Sequence, residues 1–224
     1  MKSFIFMYPI PEIIDHEIRT GSYGFGGKPF EQKFLGRFNR ANTEKEKEEI
    51  RQEFIKYVET EFRKFYKEKL NTCIDSRYRI NGFDINYAIF KGHAISHVIE
   101  LRPTDRIIEA DIDFKIHTTK KDDGTYPYPD NDLLLNKLGK TEFLTVAGFH
   151  MWDCVEKIAK RSHECGIKTL VDEDLTEFFG FRIKDKSFCI HKYPGYNHME
   201  DDHGHAKELF LENRKGKPWL WQQY

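Results

Sequence analysis

Thr141–Asp174 reads TEFLTVAGFHMWDCVEKIAKRSHECGIKTLVDED, and the pattern of this stretch decides the fold. Phe143, Leu144, Val146 and Ala147 form a short apolar run, the length of one buried strand, and Gly148 closes it. Cys154, Val155, Ile158 and Ala159 then recur at helical spacing, and Gly166 stands where a helix C-cap glycine belongs. Residues 167–171 make a second apolar run, closed by Asp172, Glu173 and Asp174. Strand, helix and strand in about thirty residues form a βαβ unit, so the two strands run parallel. Cys154 thereby falls at the start of a helix and at the carboxyl end of a parallel strand, where open α/β sheets place their ligands.

Outward from this unit, the rest of the chain alternates in the same way. Ser3–Tyr8 is an apolar run that predicts a central strand, stopped by Pro9 and Pro11. Residues 16–40, with GSYGFGGKPF in the middle, read as a loop; the glycine spacing and the absence of Ser or Thr after the lysine exclude a phosphate loop. A long helix follows, capped by Asn42 or Thr43, with Ile50, Phe54, Val58, Phe62 and Leu70 along its apolar face and KEKEE on a solvated one. Asp84–Phe90 and Arg106–Phe114 are expected strands. In the latter, alternation places Ile108, Ala110, Ile112 and Phe114 on one face and Asp111, Asp113 and Lys115 on the other. Asp132–Leu138 is an expected short helix, and Phe178–Ile190 a last strand or hairpin. These elements make one α/β domain over residues 1–190, with 191–224 as a C-terminal extension packed on it or partly flexible.

Composition narrows the function class. The 224 residues carry a formal net charge of -1, so no global basic surface argues for nucleic acid. Aromatic residues reach 15%, including 19 Phe, which favours a packed core over disorder. Cys73, Cys154, Cys165 and Cys189 show no CxxC pair and no disulfide spacing. The segment MKSFIFMYPIPEII lacks a cleavage site, and no apolar run has the length of a membrane span. The expectation is a reduced, cytoplasmic protein with a small-molecule substrate and neither nucleic acid nor membrane as a partner.

Gly148, Cys154-Val155 six residues on, Gly166 twelve beyond the cysteine and Asp174 eight further resemble the nucleophile region of the isochorismatase-like cysteine hydrolases, the superfamily of nicotinamidase. The resemblance has anchors over residues 84–175 and covers 1–83 by order of elements alone. It implies a three-layer αβα fold with a mostly parallel central sheet, and hydrolysis of the C–N bond of a small-molecule amide through a Cys154 acyl-enzyme. It also implies homo-oligomerisation.

Carried over residue by residue, the resemblance makes Cys154 the nucleophile, which a helix N-terminus activates, and makes the amides of Cys154 and His150 the oxyanion hole, with Phe149-His150 as a candidate cis bond. The alternative for Cys154 is a small buried hydrophobe. Lys115 takes the place of the family's lysine, with Lys120 and Lys121 as rivals. His93 and His97 of GHAISH stand near the family's metal histidines and are candidate ligands of one divalent ion, Zn or Fe, although Lys91 occupies the matching aspartate position. The family's general-base aspartate follows its first strand. Here that position reads Met7-Tyr8-Pro9, so Glu12, Asp15 or Asp113 would have to serve. The missing base and Lys91 support a second reading, a non-catalytic relative that binds a small molecule or a protein. His198, Asp202, His203 and His205 form a further metal-type cluster, more simply read as solvated.

Overall fold

The computed structural model describes residues 1–20, 34, 36–149, 153–176 and 215–220. Its centre is a five-stranded sheet in which every neighbouring pair is parallel. The strands are β1 (Lys2–Met7), β2 (Asp84–Ile89), β3 (Arg106–Glu109), β4 (Phe143–Gly148) and β5 (Lys168–Thr176), in the order β3-β2-β1-β4-β5. This is the order of doubly wound α/β sheets. β1 is central, and Phe4, Ile5, Phe6 and Met7 are all essentially inaccessible to solvent. A strand covered on both faces reads as a continuous apolar run, which is why Ser3–Tyr8 shows no alternation.

The βαβ unit forms as its pattern dictates. Helix α6 (Cys154–Glu164) packs on β4 and β5 through Val155, Ile158 and Ala159, all fully buried. Gly166 ends it with φ +80°, and the Gly166 and Ile167 amides donate to the carbonyls of His163 and Ser162. α5 (Asn131–Leu138) lies beside α6 and buries Leu134, Leu135 and Leu138. The Asp130 carboxylate caps it by accepting from the amides of Asp132 and Leu133. On the other side of β1, Tyr78 stacks on Phe4 with ring centroids 4.1 Å apart. Ser3, Asn86 and Thr145 are the buried polar residues of the inner strands. Asn86 donates to the carbonyl of Phe4, and Ser3 shares a 3.0 Å hydrogen bond with Thr141.

Three segments differ from expectation. Residues 16–20, expected in a loop, belong to α1 (Pro11–Thr20). Pro11 begins this helix rather than merely ending a strand, because proline lacks only an amide that the first turn leaves unpaired. The long helix is α2 (Glu44–Phe65). Thr43 and Glu46 close a reciprocal capping box: the Glu46 amide donates to the Thr43 hydroxyl, and the Glu46 carboxylate accepts from the Thr43 amide. A π-helical turn at Tyr66–Leu70 separates α2 from α3 (Asn71–Arg77).

The third difference bears on the site. β3 stops at Glu109, and Asp113 does not share a strand face with Lys115. The Asp113 carboxylate instead accepts from the Lys115 amide at 2.6 Å and caps α4 (Phe114–Thr118).

The C-terminal extension is described at 215–220, where Trp219 and Leu220 are buried against β5 and α6. The expected hairpin at 178–190, Cys189, His150 and the 198–205 cluster lie outside the described residues. No described helix is long and apolar enough to cross a membrane.

Candidate active site

In the order β3-β2-β1-β4-β5 the chain runs outward from β1 in one direction and then returns to build the other. The crevice of a doubly wound sheet therefore opens at the carboxyl ends of β1 and β4. A pocket of about 360 Å³ lies there, lined by Tyr8 after β1, Phe90 after β2, Phe149 after β4, and Asp153 and Cys154 at the start of α6. His117, from α4, closes one side together with Tyr128.

Backbone geometry at the pocket floor is unusual at two positions. Gly148 has φ +112°, and a β-carbon there would strike the backbone of Met7, so the end of the β1–β4 pairing admits only glycine. Tyr8 is the one non-glycine residue with positive φ (58°) among the described residues. Its amide donates to the Ala88 carbonyl at 2.8 Å, and its ring stacks on Phe90 at 4.0 Å. A bulky residue held in this region is strained, and such strain concentrates at functional sites. Tyr8 directly follows β1, within the Met7-Tyr8-Pro9 segment, which holds no carboxylate. Burial first, and the nearby Cys154, Asp111 and Asp153 after it, push its hydroxyl pKa well above the usual tyrosine value.

The Cys154 sulfur lies 3.8 Å from His117 Nε2. The other ring nitrogen, Nδ1, sits 2.8 Å from the carbonyl of Pro127. A carbonyl only accepts, so Nδ1 carries the proton and Nε2 presents a lone pair to the thiol. The imidazole is fixed further by stacking on Phe90 and by an edge contact with Tyr128, each at 5.1 Å between centroids. Asp153 completes the group: one ligand-type atom from each of His117, Asp153 and Cys154 lies within 4.8 Å of the others. Tyr128 hydrogen-bonds Asp153, and Lys157 Nζ is 3.1 Å from Asp153 Oδ1 while lying 3.9 Å over the Tyr128 ring. The Asp153 side chain therefore leaves the first turn of α6 without a side-chain cap.

Electrostatically, the thiol is not a resting thiolate. Burial, with Asp153 adding to it and Lys157 opposing, raises the Cys154 pKa from 9.0 to about 12. Desolvation outweighs the partial positive charge of the helix N-terminus. Any nucleophilic chemistry must therefore remove the proton during attack, which needs a base within reach, and His117 Nε2 is such a base.

The residues expected at the site are distributed as follows. Cys154 is in the pocket. Lys115 is exposed on α4 and does not line the pocket. Asp15 pairs with Arg63 at 3.0 Å, and Asp113 caps α4. Neither lines the pocket. His93 bridges two carboxylates from opposite sides of its ring, with Nδ1 3.3 Å from Glu12 and Nε2 3.3 Å from Asp113. His97 contacts Arg63 at 3.2 Å. Among the described residues, neither histidine belongs to a group of three potential ligands. His117, Asp153 and Tyr128 were not expected. The readable signal for His117 was Asp113 as an N-cap, which places His117 one helical turn on, its amide bonded to the Asp113 carbonyl at 3.0 Å.

Comparisons of the chain with models of protein families, with curated proteins and with solved structures found no match.

Proposed function

We propose that the protein is a cysteine-dependent hydrolase of small-molecule amides, similar in plan to the isochorismatase and nicotinamidase enzymes. The observation that carries this reading is the Cys154–His117 pair, with its tautomer set by Pro127, at the switch point of a parallel sheet. A three-layer fold of the isochorismatase type is part of the proposal; the parallel sheet, the strand order and the helix following Cys154 support it.

In this mechanism His117 Nε2 takes the thiol proton as Sγ attacks the amide carbonyl carbon. The oxyanion is held by first-turn amides of α6, which the Asp153 side chain leaves uncapped. The imidazolium returns the proton to the departing amine. Water, deprotonated by the same nitrogen, then cleaves the thioester to release the acid and the free thiol. His117 thus takes over the role that the resembled family gives to a carboxylate, and Lys115 has no part. Aromatic walls from Tyr8, Phe90 and Phe149 suit a flat acyl group.

The raised thiol pKa and the lack of a carboxylate in Met7-Tyr8-Pro9 favour a second reading, a relative that binds a carbonyl compound without turnover. Ammonia release from a panel of aromatic primary amides, beginning with nicotinamide, separates the two. The hydrolase reading expects release that Cys154→Ala abolishes and His117→Ala lowers by ~10²–10⁴-fold. Saturable amide binding by calorimetry without ammonia would establish the second reading instead.

A further inference from the structure

We propose that Cys154, His117 and Asp153 form a binding site for one zinc-type divalent ion, a site separate from the His93/His97 region and independent of the hydrolase reading. The three side chains supply a thiol sulfur, an imidazole nitrogen and a carboxylate oxygen, all within 4.8 Å of one another. Zinc binds these donor types at about 2.3 Å for sulfur and about 2.0–2.1 Å for nitrogen. At a tetrahedral angle those bond lengths put the two atoms about 3.6 Å apart. The observed separation of Cys154 Sγ and His117 Nε2 is 3.8 Å, so little movement is needed.

The surroundings point the same way. Ligating histidines characteristically donate their other ring N–H to a carbonyl or carboxylate, which fixes the tautomer and the ring orientation. His117 does so to Pro127, and its Nε2 lone pair faces the sulfur. Asp153 is oriented by Tyr128 and Lys157, outer partners of the kind that hold ligating carboxylates. All three residues line the pocket, which leaves a fourth position for water or a small ligand. Three protein ligands with one open position is the arrangement of reactive rather than purely structural zinc sites. A soft sulfur beside an imidazole selects zinc or cobalt over magnesium or calcium.

Binding converts Cys–SH and Zn²⁺ into Cys–S–Zn⁺ with one proton released, since the coordinated thiol is deprotonated outright. A sulfur acylated as a thioester has no thiolate charge left to hold the metal, and a sulfur held by the metal has the attacking lone pair engaged. Zinc occupancy and the Cys154 acyl-enzyme therefore exclude each other, and zinc would inhibit any amide hydrolysis that Cys154 performs.

The test is a titration of the full chain, cleared of metal by chelation, with Co²⁺ and no substrate. We expect saturation at one ion per chain, a near-ultraviolet thiolate-to-cobalt charge-transfer band, intense visible bands of four-coordinate cobalt, and displacement of all of them by Zn²⁺. Cys154→Ser should remove the charge-transfer band, and Cys165→Ser should leave it intact. His117→Gln, with circular dichroism confirming the fold, should weaken binding by more than ~100-fold, the upper end of losses seen when only an outer partner is removed. Absence of the thiolate band in the folded wild-type protein, or a band that survives Cys154→Ser, overturns the proposal. Cobalt bound without that band would place the ion elsewhere, for instance on His198, Asp202, His203 or His205, and would equally overturn it. Because no amide is present, failure here is distinguishable from failure of the hydrolase reading.

Discussion

At the scale of single residues, the thiol of Cys154 and the ring of His117 set what the pocket can do. A cysteine at a helix start is ordinarily expected to be acidic, but this one is 6% exposed, and burial with Asp153 pushes its pKa up to about 12. Its reactivity in the free protein should therefore run opposite to that of an activated thiolate. At neutral pH, iodoacetamide should label the exposed Cys165 before Cys154, and Cys154 labelling should accelerate as pH rises towards 12. Site-resolved mass spectrometry of a pH series checks this; rapid neutral labelling of Cys154 would show that the thiol is ionised at rest. The same shift has a consequence for stability. A folded-state pKa above the unfolded value means that the neutral thiol favours folding. That contribution is complete below about 9 and is lost as pH climbs towards 12. Cys154→Ala should accordingly flatten the alkaline limb of a denaturant-midpoint profile while changing the neutral region less.

At the scale of elements, the site depends on how two short segments end. The β4–α6–β5 unit was legible because its apolar spacing changes from a run to a helical period and back, with glycines at both boundaries. The end of β3 was not legible. Ile108, Ala110, Ile112 and Phe114 alternate like a strand, and the first two are buried while the others pack against the core. Yet the regular ladder ends at Glu109, and beyond it the segment is tied to the end of β2 through the Ala110 amide on the Ile89 carbonyl and the Lys91 amide on the Ile112 carbonyl, because alternation records burial and not register. What the alternation hides is the Asp113 cap, which begins the helix that carries Lys115 at an exposed position and His117 beside Cys154. The site was therefore half legible: Cys154 follows from the βαβ pattern, whereas His117 follows only from a helix five residues long. Asp113→Ala should cost about 1 kcal/mol in stability through loss of the cap. It should also reduce whatever function His117 serves more than Lys115→Ala does, as urea unfolding and parallel amide-hydrolysis or cobalt titrations would read. Equal effects of the two substitutions would mean that the cap does not position His117. Gly148→Ala belongs to the same scale. It combines a positive φ with a collision against Met7, and should lower stability by at least about 2 kcal/mol.

At the scale of the whole molecule, the question is what holds the helices of the N-terminal half against the strands of the C-terminal half, since the pocket draws on both. α6 covers one face of β4 and β5. On the face of β1 where Tyr78 stacks on Phe4, the connection runs through Asp172 of β5, which is 2% exposed. Its carboxylate accepts from Arg77 at 3.0 and 3.1 Å and from the Tyr78 hydroxyl, joining the end of α3 to a strand some ninety-five positions later in the chain. Asp172 also organises its own strand. Its side chain accepts from the Leu175 amide at 3.3 Å and its carbonyl from the Thr176 hydroxyl at 3.1 Å, across the irregularity where β5 shifts register before pairing with Gly148. Gly148 pairs with Met7, the residue before Tyr8, so Asp172 connects the α3 contact to the floor of the pocket. Removing the carboxylate takes a charged acceptor from a buried hydroxyl and from a guanidinium that is partly exposed. The exposure of Arg77 screens its share, so the expected cost of Asp172→Ala is about 2–3 kcal/mol rather than the larger penalty of a fully buried pair. Asp172→Asn keeps an acceptor and should cost less. Urea unfolding of both variants against wild type tests the order. If Asp172→Asn were as destabilising as Asp172→Ala, the charge itself and not the hydrogen-bonded geometry would be holding α3 to β5.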